Sequence, residues 1–251
     1  MDERVDYDLT DRHGATPLRR ALESQSADRM EIARLLLERG ASYDPDNAPD
    51  GATFALLQAV ACSKGNTNVK LMQMLLEKEV NYSFQDRNRR TLLHSAANAG
   101  SEGIVQLLLE KGPEFHVDCR CHAGKTPLYE AAENGEPKIV QMLLARRANP
   151  NIKDDVGRTP LHAGLVGYEF ERIRAMSSSS RGRGQAPDND LMLRYARVVE
   201  LLVDNGANPD LTDMRGESAK SFISTKLASP TSKPAYIVIE AAIPQTPGPS
   251  P

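Results

Sequence analysis

Tryptophan is absent from this chain of 251 residues and aromatic residues make up only 5% of it, so its core has to be aliphatic, built from Leu, Ile, Val, Met and Ala. Cysteine is scarce as well. Three residues, Cys62, Cys119 and Cys121, are too few and odd in number for a disulfide framework, and fit a reducing compartment. Neither sign of charge dominates: 31 Lys and Arg against 34 Asp and Glu give a net charge of -3, with no global attraction for nucleic acid or anionic lipid. Long apolar runs are missing, which excludes a membrane span, and the acidic start MDERVDYDLT has no leader-like hydrophobic region. The expected compartment is cytoplasm or nucleus. The chain also has no G-x-x-x-x-G-K-[ST], G-x-S-x-G, H-E-x-x-H or G-x-G-x-x-G, so no reaction, cofactor or small-molecule substrate is expected.

What is present is a period. GATPLRRAL (14–22), RRTLLHSAANAG (89–100), GKTPLYEAAENG (124–135) and GRTPLHAGLVG (157–167) are copies of one block. A second block follows each: IARLLLERGAS (32–42), IVQLLLEKG (104–112), IVQMLLARRANPN (139–151) and VVELLVDNGANPD (198–210). Thr91, Thr126 and Thr159 are separated by 35 and 33 residues. A weaker copy lies around residues 50–81. Such a period signals stacked units that cannot bury their apolar faces alone.

Each pair reads as two helices. Thr16, Thr91, Thr126 and Thr159 suit a helix start, and Pro17, Pro127 and Pro160 suit the first turn, where a missing N–H costs nothing. Ala96-Ala97 and Ala131-Ala132 keep the first helix thin, and Gly100 and Gly135 permit the reversal after it. The second helix carries Ile-Val and Leu-Leu pairs that form a broad apolar face, ended by Gly40, Gly112 or Gly206.

These T-P-L-H, A-A-x-x-G, I-V-x-L-L and G-A-N-P elements resemble ankyrin repeats. The resemblance covers residues 8–220 in five units, with a vestigial sixth at RGESAKSFI (215–223). It implies an all-α solenoid of helix pairs joined by hairpin-like fingers, occupying residues 1–227, and a role in binding proteins through the fingers and the concave inner-helix face. It also implies that His94 and His162 tie each repeat's start together rather than act as acid or base. Departures are visible: Arg89 stands for the usual Gly, and Arg19 and Tyr129 stand for the His.

The expected function is therefore that of a non-catalytic scaffold or adaptor, with the alternative of a substrate-targeting or regulatory module in a larger enzyme or signalling assembly. Aligned units place Arg87, Arg89, Arg90, Arg120, Lys125, Lys153 and Arg158 in or beside consecutive fingers, of which the third and fourth are net positive, and the Arg within 87–90 offer a donor set for carboxylates or phosphates on a partner protein. Asn98, Tyr129, Glu130, Glu133 and Asn134 are expected on the concave face, with Tyr129 a partly exposed aromatic anchor. The short basic cluster and negative net charge predict no nucleic-acid partner. His116, Cys119, Cys121 and His122 have zinc-ligand chemistry, but four ligands within seven residues crowd one side of an ion, and no metal is expected.

The fifth unit is about 26 residues longer than the fourth. The Ser-, Gly- and Arg-rich centre of this insertion predicts a flexible loop over 168–194, whose flanks could extend either helix, and Ser177, Ser178, Ser179 and Ser180 beside Arg174, Arg181 and Arg183 offer phosphorylation sites. Residues 228–251 form a Pro-rich tail expected to be largely disordered, except that AYIVIEAAI (235–243) is apolar enough to cap the last repeat.

Overall fold

The computed structural model describes residues 6–24, 26, 28–41, 60–61, 68–77, 85–111, 116–179 and 189–227. Cys62, Ser180, most of the second repeat and the tail 228–251 lie outside the described residues. Among the described residues the regular structure is helical, in two compact units divided between Phe115 and His116.

The first unit contains α1 (Pro17–Glu23), α2 (Arg29–Glu38), α3 (Val69–Leu76), α4 (Leu92–Ala99) and α5 (Glu102–Glu110). α1 packs on α2 and α4 on α5, while the outer helices pack in series, α2 on α3 and α3 on α5. The second contains α6 (Pro127–Glu133), α7 (Pro137–Ala145), α8 (Pro160–Ser179), α9 (Asn189–Asp204) and α10 (Ala219–Phe222), which runs into a wider turn at Ile223–Leu227. There α6 pairs with α7 and α8 with α9, inner helix lies on inner helix from α6 through α8 to α10, and α7 packs on α9. Pairing within a repeat and between successive repeats is what a solenoid requires.

Local signals set the ends. Thr16 Oγ1 accepts the Arg19 N–H at 3.3 Å and Thr126 Oγ1 that of Tyr129 at 3.2 Å. At α4 the bond is reciprocal: Thr91 Oγ1 accepts from the His94 N–H, and the Thr91 N–H donates to His94 Nδ1 at 3.2 Å. The same pair of roles recurs in the sixth unit between Ser218 and Ser221. The cores are aliphatic, with Leu92, Leu93, Ala96, Ile104, Val105 and Leu108 buried in the first unit and Leu128, Ala131, Ile139, Val140 and Leu143 in the second.

The flanks of the insertion extend both helices, which narrows the expected loop. Residues 168–179 continue α8 and 189–194 begin α9, so the loop expected over 168–194 is helical at both flanks. Buried aromatics are the reason. Tyr168 is fully buried, and Tyr195 donates its hydroxyl to the Glu133 carbonyl at 2.9 Å. A Cβ on Gly167 would stand 2.5 Å from the Tyr195 ring, so this glycine admits an aromatic to the helix rather than ending it. Arg194 adds a 2.5 Å ion pair to Glu136 at the start of α7.

Candidate protein-interaction surface

Among the described fingers, all but the fourth are tight turns wound on one carboxylate. Asp86 Oδ1 accepts the N–H groups of Asn88 and Arg90, both at 2.8 Å; Asp154 serves Val156 and Arg158 at 3.0 and 2.7 Å, and Asp213 serves Arg215 and Glu217 at 2.8 and 3.0 Å. Two bonds to an ionised acceptor fix the turn. In the fourth unit Cys121 takes this place. The backbone bonds persist, Cys121 N–H to Lys125 O at 3.0 Å and Gly124 N–H to Cys121 O at 2.8 Å, but a weakly accepting thiol stands where the carboxylate would be. Among the described residues no group of three or more His, Cys, Asp or Glu is placed to hold a metal ion.

The basic finger residues divide into two sets. Arg87 and Arg89 of the first unit are exposed and Arg90 is half-buried. Arg89 has φ +58°, in the left-handed region where the other fingers use glycine. In the second unit the cations are turned toward the stack itself. Arg120 donates from Nε to Gly124 O and from Nη2 to Lys153 O and Asp155, each at 3.1 Å. Lys153 Nζ donates to Thr212 O at 2.7 Å, and Arg158 stands 4.0 Å from Asp213. Together with the Asp155 N–H to Ala123 O bond and the Met214 N–H to Val156 O bond, both 3.1 Å, they lace successive fingers together.

Tyr129 is not the exposed anchor its place on the inner helix suggested. It is 2% exposed, and Glu130 beside it is also buried. Standing in the histidine slot, Tyr129 reaches forward, and its hydroxyl hydrogen-bonds the Asp154 carboxylate in the next finger; burial first, and then that negative neighbour, push the phenol well above its ordinary range. His162 does the equivalent one repeat later, with Nε2 3.2 Å from Glu217 O. Lys125 covers the Tyr129 ring at 5.1 Å from its centroid and pairs with half-buried Glu133 at 2.6 Å. Asn98 is exposed on α4. The backbone of Ser177, Ser178 and Ser179 lies in the last turn of α8.

Sequence reasoning missed one feature. On α8, Val166, Phe170 and Ile173 are 40%, 65% and 54% exposed. Spacings of four and three residues put them on one helical face, the face that carries Glu133 one repeat earlier. The signal was present as V-x-x-x-F-x-x-I, but it becomes a stripe only because the insertion is helical there. No described helix is long and apolar enough to cross a membrane.

Comparison with known proteins follows the same line. A family model described as ankyrin repeats (3 copies) matches residues 56–154 and 114–176. Inversin of Canis lupus familiaris is 32% identical over 155 residues, covering 62% of this chain and 14% of inversin. Neurogenic locus notch homolog protein 1 of Cricetulus griseus is 30% identical over 168 residues, covering 63% of this chain and 6% of that protein. The chain thus spans a small fraction of the length of these relatives. Among solved structures, an ankyrin repeat domain from Acinetobacter baumannii AYE superposes with a TM-score of 0.62 at 21% identity, covering 90% of this chain and 97% of that one. Capped inner helices, laced fingers, serial helix packing and these matches all lead to one assignment: the chain belongs to the ankyrin-repeat family.

Proposed function

We propose that this chain is a non-catalytic recognition module that holds a partner protein on the exposed inner-helix face of the unit beginning at His116. Ankyrin repeats generally mediate protein–protein interaction. The observation that carries the reading here is the Val166–Phe170–Ile173 stripe, since large apolar side chains in a row on a helix face are the usual substance of a protein contact. Glu133 on α6 supplies a polar contact at the margin, where charges govern specificity and on-rate more than affinity; in the other unit, the exposed Asn98, Arg87 and Arg89 are a candidate contact surface of their own. Arg120, Lys125 and Arg158 act mainly in the stack, through the bonds described above, with their outer edges open to a partner.

The test is comparative capture from an extract of the source cells on immobilised wild-type chain, Phe170→Glu, and Arg87→Glu/Arg89→Glu, each checked for unchanged helicity. A protein held by the wild type and lost from Phe170→Glu supports the reading; identical captured sets on all three oppose it.

A second reading, a targeting module within a larger assembly, draws support from inversin and the notch homologue, in which the matching repeats occupy 14% and 6% of the protein. It predicts that the captured partner is chemically modified while held, which mass spectrometry of the eluate detects.

A further inference from the structure

The outer helix α2 is apolar on two sides. Ala33 and Leu37 are buried, whereas Ile32 and Leu35 are 42% and 44% exposed. At about 100° per residue these two pairs point to nearly opposite sides of the helix, so α1 and α3, on which α2 packs, take one side and leave Ile32 and Leu35 on the other. Asp28 and Arg39, the residues flanking the helix, keep a near-helical φ of -88° and -85° and continue the exposed row four residues beyond it at each end. Asp28, Ile32, Leu35 and Arg39 thus form one exposed stripe, apolar at its centre and oppositely charged at its two ends. The Asp28 carboxylate makes no capping bond to the helix. The flank beside the stripe is closed on itself, since Arg34 pairs with Glu31 and Glu38, and Glu38 also with Lys70.

We infer that two copies of this chain associate through the stripe, α2 against α2 in antiparallel orientation about a two-fold axis. The face is a charge palindrome. With the axis between Ile32 and Leu35, each Ile32 meets the partner's Leu35 and each Asp28 meets the partner's Arg39, which gives two ion pairs around an apolar centre. Opposite charges equidistant from the centre of a patch are what an isologous contact requires, because residue i touches j while j touches i. A parallel arrangement would set Asp28 on Asp28 and Arg39 on Arg39, so repulsion selects the antiparallel one. Steps of four, three and four residues keep the stripe in line along the helix, the spacing of a seam between two helices. Ile32 and Leu35 supply the apolar contact, and the ion pairs fix orientation more than they add affinity. The stripe is about 16 Å long, which places the contact among small and weak interfaces and the dimer in the micromolar to millimolar range.

The test is sedimentation equilibrium of the full-length chain over about 10–500 µM, the range in which so short a contact should associate. Wild type is compared with Asp28→Arg, Arg39→Asp, the double swap, and an equimolar mixture of the two single variants. Each single substitution sets like charges together at both ends of the stripe and should weaken self-association about tenfold. The double swap should restore it, and the two single variants should form a one-to-one complex when mixed, since each supplies the charge the other lacks. A wild type that stays monomeric throughout, single variants that associate as wild type does, or a mixture that stays monomeric overturns the inference. With a monomeric wild type, a lower Tm for Ile32→Glu would assign the face to cover by this chain itself, and an unchanged Tm to a different protein.

Discussion

The imidazole of His162 joins two repeats through opposite ring atoms. Nδ1 accepts the Thr159 N–H at 3.2 Å within its own cap, and Nε2 stands 3.2 Å from the carbonyl oxygen of Glu217 in the next finger. An N–H pointing at Nδ1 requires that atom to be unprotonated, so the proton resides on Nε2 and is donated to Glu217.

That arrangement fixes a pH dependence. Burial, the leading cause, lowers the His162 pKa below its usual 6.5, so the unfolded chain takes up a proton before the folded one does. Its stabilising contribution is complete above about pH 6.5 and is lost as pH falls from there toward the depressed folded value. Replacement by Ala should cost about 1–3 kcal/mol at pH 7.5. In denaturant titrations the gap between wild type and His162→Ala should narrow between pH 7 and 5; a gap that widens on acidification contradicts this account.

Arg89 carries backbone strain that a glycine relieves. Its φ of +58° costs a residue with a Cβ about 1–2 kcal/mol, part of which is offset because glycine loses more freedom on folding. Arg89→Gly should therefore raise stability by about 0.5–1 kcal/mol, seen as a higher denaturation midpoint at unchanged slope. Arg147, at φ +63° after α7, where α2 and α9 are followed by Gly40 and Gly206, should respond in the same direction. A lower midpoint for Arg89→Gly would show that its side chain contributes more than its backbone conformation costs.

Cys121→Asp should rebuild the carboxylate turn of the fourth finger. The other fingers show where the new Oδ1 would go, to the N–H groups two and four residues on, here Ala123 and Lys125. Asp154 is about as buried as Cys121, so the site tolerates the charge in this geometry. We expect a gain of about 1 kcal/mol, at roughly 0.5–1.5 kcal/mol per bond less the cost of partial desolvation. A loss of stability in a guanidinium titration would mean that the thiol's packing outweighs the bonds it forgoes.

The repeat frame was legible because its signals are local. Thr16, Thr91 and Thr126 cap by reaching three residues ahead, a contact that follows from spacing alone. The orientation of Tyr129 was not local. Its exposure depends on Asp154, 25 residues on in the next finger, and a long side chain with a polar tip in the histidine slot was the one hint that it bridges repeats instead of facing a partner. Gly167 shows another non-local effect. It resembles the glycines that reverse the chain after α4 and α6, yet it lies inside α8 because the Tyr195 ring occupies the space a Cβ would need. The helical flanks of the insertion, and with them the exposed Phe170, follow from that contact between residues distant in sequence.

The central claim, that a partner protein is held on the exposed face of α8, is tested most directly by a photo-crosslinking side chain placed at residue 170 and, separately, at Arg197 on the exposed side of α9. Illumination in an extract of the source cells should give a discrete protein adduct from position 170 and none from position 197. Equal adducts from both positions, or none from 170, would contradict it.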